Sequence, residues 1–142
     1  MEVSHYWQQF TDTDFLSEIK NSDLIGLGET HLHEGTLDKL SIPGFKLVAY
    51  KNRHIHVKSK TASGGLAIFA REHVSKLLVP IKTENKDILW LKIKNGNKDV
   101  YLAYIYFSPL KRKNDIFKKF QELSKDIMTF QRTVNHTVIR QP

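Results

Sequence analysis

The residues with the most chemistry in them lie close together in the stretch DLIGLGETHLH, residues 23–33. Apolar, strand-like sequence runs straight into a carboxylate, a hydroxyl and two histidines. Glu29, at the C-terminal end of a buried strand, is well placed to meet a divalent cation: the strand holds it and the following loop leaves one side open. Mg²⁺ takes oxygen ligands, usually one or two carboxylates completed by water and substrate phosphate, so Glu29 can be part of such a site but not the whole of it. Two plainer roles stand beside this one. Glu29 could cap a turn at residues 36–40, or simply be solvated.

The histidines offer a different chemistry. His31 and His33, and again His54 and His56, form two pairs, and four imidazoles can bind Zn²⁺. The i, i+2 spacing points both rings the same way only on a strand, whereas both pairs fall in expected loops, where solvated histidines are the simpler reading. Tyr106 ends a strand-like run, YIYFSP, and its phenol could donate to a phosphate oxygen or close the core as a half-buried aromatic. Nucleophilic catalysis lacks its signatures. There is no G-x-S-x-G elbow, the SGG at Ser63 precedes a strand rather than a helix, and there is neither a P-loop nor a G-x-G-x-x-G. Gly26 and Gly28 sit within or at the end of a strand, where close packing is the expected use.

These residues need elements to position them. Residues 11–20 read as a short helix capped by Asp12 or Thr13, with Phe15, Leu16 and Ile19 as its apolar stripe. Residues 23–28 read as a buried strand, IPGF (42–45) as a turn, 45–50 as a strand, and 63–70 as a buried strand opened by two glycines. Residues 87–94 and 98–107 flank Asn95 and Gly96, a hairpin signal, with Leu89, Leu91 and Ile93 on one face and Val100, Leu102, Tyr104 and Tyr106 sharing a face on the return. Residues 114–130 form an amphipathic helix whose stripe, Ile116, Phe117, Phe120, Leu123, Ile127 and Phe130, is expected to pack in a core. The tail, 131–142, has no clear pattern. The order implies an α/β protein with sheet and helices in layers.

The chain's 142 residues fit one domain, and no apolar run approaches the roughly 18 residues of a membrane span. The polar, acidic N-terminus resembles neither a secretory signal nor a transit peptide. With no cysteine there is no disulfide or thiolate site, and an intracellular setting, nuclear or cytoplasmic, fits. Lys and Arg number 22 against 15 acidic residues, a formal charge of +7, with positive charge dense at 51–60 and 111–113. That balance suits a polyanionic partner through counterion release, or a well-solvated surface.

Taken in order, DLIGLGETH, IPGF, SGGLAIFAR, DILWLKI and VYLAYIYFSP resemble the endonuclease/exonuclease/phosphatase superfamily, most nearly the endonuclease domains of non-LTR (LINE-type) retrotransposons that precede a reverse transcriptase. The resemblance covers about residues 11–130. It implies a two-sheet α/β sandwich, here mostly the first half, and Mg²⁺- or Mn²⁺-dependent cleavage of DNA phosphodiesters by in-line attack of water. Glu29 would be the metal-binding glutamate and Tyr106 the tyrosine at the scissile phosphate, while Gly64, Gly65 and Trp90 match structural positions. The basic loop 51–62, with Arg53, Lys58 and Lys60, would suit a DNA backbone. The family's opening strand with its asparagine, its G-D-F-N segment and its S-D-H segment have no counterpart here. The implied molecule is therefore a partial domain over 1–142, inactive alone or in need of a complementing polypeptide. The alternative is a basic remnant that binds nucleic acid without cutting it.

Overall fold

The computed structural model describes residues 12–31, 39–52, 64–106 and 113–138, which fall into two compact units, 1–106 and 107–142. In the first unit, helix α1 (Thr13–Ile19) starts at Asp12, whose Oδ1 accepts a hydrogen bond from the Asp14 amide at 2.8 Å. This is an N-cap satisfying a donor the helix itself leaves unpaired. Strands β1 (Leu24–Gly28), β2 (Lys46–Lys51) and β3 (Leu66–Ala70) form an antiparallel sheet in the order β1-β3-β2. The turn at 42–45 closes with the Phe45 amide donating to Ile42 O at 3.1 Å. Arg71 ties that turn to the loop before β1. Its guanidinium lies 4.1 Å from the Phe45 ring centroid and donates to Lys20 O at 2.7 Å and Ser22 O at 3.2 Å.

A single turn of helix, α2 (Glu72–Ser75), leads into a second antiparallel sheet, β4 (Leu78–Ile81), β5 (Ile88–Asn95) and β6 (Lys98–Ile105), in sequential order. The sequence reading passed over α2 and β4. β4 has only four residues and contains Pro80, which lacks a ladder donor; it is tolerated because β4 is an edge strand. The hairpin stands as expected, and its register (Leu89 opposite Tyr104, Leu91 opposite Leu102, Ile93 opposite Val100) puts the anticipated residues on one face. Because Asn95 pairs with Lys98, the two turning residues are Gly96 and Asn97, one position later than the Asn95–Gly96 signal. Gly96, at φ +59°, sits first in the loop, where the II′ hairpin turn calls for glycine.

The two sheets share an apolar layer. Leu66, Ile68 and Ala70 of β3 and Ala49 of β2 meet Leu78, Leu89 and Leu91 from the second sheet. On the other face of β3, Ala67 and Phe69 pack with Ile25, Leu40 and Ile42, and Phe15, Leu16 and Ile19 of α1 cover them. Covered on both faces, all five residues of β3 are buried. The protein thus has a mixed α/β fold built on two three-stranded antiparallel sheets with helices.

The second unit contains α3 (Lys113–Val138), longer than the expected 114–130 because 131–138 hold neither proline nor glycine to end it. None of the stripe expected to pack in a core is buried: Phe117, Phe120 and Ile127 are exposed, and Ile116, Leu123 and Phe130 are half-buried. No helix among the described residues is long and apolar enough to cross a membrane.

Candidate functional site

Strand β1 brings Glu29 to its C-terminal end as the sequence implies, although of the strand expected to be buried only Ile25 is. Its alternation sends Ile25 and Leu27 to the α1 side and Leu24 to the layer between the sheets. Gly26 and Gly28 share the inner side with Leu24, and there two tyrosines of the second sheet lie against them. A Cβ on Gly26 would come 2.5 Å from the Tyr104 ring, and one on Gly28 would come 2.7 Å from the Tyr106 ring. Any side chain at either position would have to displace an aromatic ring, so the glycines serve close packing, as expected. This contact brings the ends of β1 and β6 together, placing the Tyr106 ring beside the residue that precedes Glu29. Tyr106 itself lies just past β6, its amide donating to Asp87 O at 3.2 Å. Burial, and secondarily the neighbouring Tyr106 phenol, raise the pKa of Tyr104 above its ordinary value.

After β1 the backbone turns sharply. Glu29 has φ +54° and His31 φ +51°, and among the described residues they are the two non-glycine positions with positive φ. Each such conformation costs on the order of 1–3 kcal/mol and persists only where surrounding structure enforces it. The enforcing partner is the double glycine ahead of β3. The His31 amide donates to Gly64 O at 2.8 Å and the Thr30 amide to Gly65 O at 3.3 Å. In return the Gly64 amide donates to the Glu29 carboxylate, Oε2, at 3.0 Å. His31 Nε2 stands 3.7 Å from the same oxygen, an ion pair when the imidazole is protonated, and both side chains reach solvent. Thr30 is buried, and among the described residues neither its hydroxyl nor the side-chain amide of Asn52 has a hydrogen-bond partner. The sequence did not reveal the turn at Glu29, since glutamate does not favour a left-handed backbone. The glycine pair was its visible trace.

On the opposite side of the two sheets, Lys51 ends β2 and reaches across to the loop between β4 and β5. Its Nζ donates to Thr83 Oγ1 at 2.8 Å, to Thr83 O at 2.9 Å and to Asn85 O. Beside this clamp lies a groove of about 670 Å³ lined by Val48, Ala49, Tyr50, Pro80, Ile81 and Leu89, with Lys82, Glu84 and Lys86 also on its walls.

Of the residues singled out from the sequence, Glu29, His31, Gly64, Gly65, Trp90 and Tyr106 are described, and Trp90 is buried. Arg53, Lys58, Lys60, His33, His54, His56, Ser63 and residues 36–38 of the turn expected at 36–40 lie outside the described residues. Among the described residues no group of three or more His, Cys, Asp or Glu side chains converges as a metal site would require. Glu29 is one oxygen donor of the kind Mg²⁺ or Mn²⁺ accepts, not a set.

No family model matches the chain. It is 28% identical over 99 residues to the RNA-directed DNA polymerase from the mobile element jockey of Drosophila funebris. That alignment covers 69% of this chain and 10% of the relative, so the chain spans about a tenth of the length of the protein it matches. The similarity supports a relation to retrotransposon proteins of the LINE type.

Proposed function

We propose that these residues form part of a divalent-metal-dependent DNA endonuclease domain of the endonuclease/exonuclease/phosphatase type, descended from a LINE-type retrotransposon. The observation that carries this reading is the convergence of β1 and β6: the carboxylate and the tyrosine named by the sequence resemblance arrive at one end of the paired sheets, with Tyr106 packed on Gly28 next to Glu29. In this reading Glu29 is the Mg²⁺ or Mn²⁺ ligand and Tyr106 the phosphate-side donor. The two sheets form the first half of a larger sandwich, a single partial domain over 1–142.

One carboxylate and one phenol are not a catalytic set, and loss of a member of a cooperating set removes most of the rate. The 142 residues by themselves are therefore expected not to hydrolyse DNA, the remaining groups having to come from outside them. A plasmid-nicking assay with Mg²⁺ and with Mn²⁺ tests this. Background-level nicking is expected, and robust nicking abolished by Glu29→Ala would overturn the inactivity.

The net charge of +7 favours a second reading, a basic module that holds nucleic acid without cutting it. It predicts DNA binding that weakens steeply with salt and with Ala at Arg53, Lys58 and Lys60. Binding that ignores both would sink it.

A further inference from the structure

We infer that Gly64 and Gly65 are positioning residues for the Glu29 carboxylate, an inference that deepens the reading of Glu29 as a site residue and rests on it. Two of the three hydrogen bonds joining 29–31 to 64–65 run between main chains, from Thr30 to Gly65 and from His31 to Gly64. The third, from the Gly64 amide to Glu29 Oε2 at 3.0 Å, fixes a side chain and has no part in the strand ladder. A main-chain donor has no rotamers of its own, so it confines a glutamate that would otherwise sample many, which is what a preorganised ligand requires.

The glycines are needed for two separate reasons. Both occupy positive φ, +85° at Gly64 and +103° at Gly65, where L side chains are strained. A Cβ on Gly65 would also stand 2.5 Å from the buried Thr30 hydroxyl and 3.4 Å from Lys51 O. Adding it would push Thr30 away, and with it the flanking Glu29. The left-handed backbone at Glu29 is the other half of the device, turning the chain out of the strand direction as β1 ends.

Amide hydrogen exchange followed by NMR tests this without any metal or activity. In Glu29→Ala the Gly64 amide should exchange at least tenfold faster and shift upfield, while Glu29→Gln, which keeps a carbonyl acceptor, should restore most of the protection. The Thr30 and His31 amides, bonded to main-chain oxygens, should be unchanged in both. Gly65→Ala should reproduce the loss at Gly64. The inference is overturned if Gly64 is indifferent to Glu29→Ala, or if the Gly64, Thr30 and His31 amides all accelerate together, which would mean that Glu29 acts only through the fold. Mn²⁺ added to the wild-type chain tests the underlying reading separately. If the Gly64 result holds but Mn²⁺ broadens no amide at 29–31 or 64–65, the metal-binding reading falls and the positioning stands.

Discussion

The two sheets are joined differently at their two open sides. Along β1 and β6 the join is steric: the rings of Tyr104 and Tyr106 lie on Gly26 and Gly28 with no room for a methyl group. Along β2 and β4 the join is polar: the Lys51 ammonium spans the gap to the 83–85 loop, leaving a groove of about 670 Å³ beside it. The edges differ as well. β2 carries a bulge between Leu47 and Ala49, and β4 contains Pro80, two devices that discourage further strand pairing. β6 has neither; it keeps an eight-residue pairing with β5 in unbroken register, and Val100 and Leu102 are exposed. The side that carries Glu29 and Tyr106 is thus the side where geometry is fixed by contact. The other is held by a flexible arm.

That contrast can be broken experimentally. The largest effect is expected at the glycine seam. Gly26→Val should destabilise the fold by about 3 kcal/mol, since overpacking a close contact typically costs roughly 1–3 kcal/mol and here the obstacle is a ring. Denaturant unfolding measures it. Combining it with Tyr104→Ala should cost less than the sum of the two changes, because the shorter side chain makes room. A fully additive cycle would mean that the seam is not a contact at all. Next comes Lys51→Ala, expected to cost about 2 kcal/mol by stripping charge-assisted hydrogen bonds from Thr83 and Asn85. This loss should be coupled to Thr83→Ala and uncoupled from Gly26→Val.

A smaller effect is confined to alkaline solution. The folded state holds the Tyr104 phenol protonated above its ordinary pKa of 10.0. The unfolded chain therefore loses that proton first. Stability from this group is fully present below about pH 10 and declines as pH rises toward the folded-state value. Urea midpoints measured from pH 9 upward should fall less steeply in Tyr104→Phe. Smallest of all, Glu84→Ala and Lys86→Ala on the groove wall should change stability by no more than about 0.5 kcal/mol. A larger loss there would show that the polar side is as tightly determined as the seam.

Local signals carried much of this architecture. The Asp12 cap, the strand before Glu29, the 42–45 turn and the hairpin all depend on residues within a few positions of one another, and the sequence places them within one or two residues. The sequence also contains the G-x-G of β1 and the Y-x-Y of β6, both with the period of a strand. Nothing in it says that one will lie on the other, because that pairing is settled by which sheet faces which. For the same reason the Lys51 clamp was invisible: its acceptors lie 32 and 34 residues away. At the candidate site the position of Glu29 at the end of a strand was legible and its backbone geometry was not. A left-handed glutamate is enforced from outside, by glycines about 35 residues further along. The missed β4 shows the converse case, in which tertiary pairing overrides a short, proline-bearing sequence.

The strand order has a kinetic consequence. β4, β5 and β6 pair with their neighbours in sequence, so the second sheet can assemble by closing short loops. β1 pairs not with β2 but with β3, from Leu24 opposite Ala70 to Gly28 opposite Leu66, a closure across some forty residues. Contacts of that separation form late, since chain entropy must be lost before they stabilise anything. Folding φ-values should accordingly be higher at Leu89 and Leu91 than at Ile25 and Leu27. The hydrogen bond that aims Glu29 spans the same junction, so the candidate site would be among the last features to form as the chain folds and among the first to open.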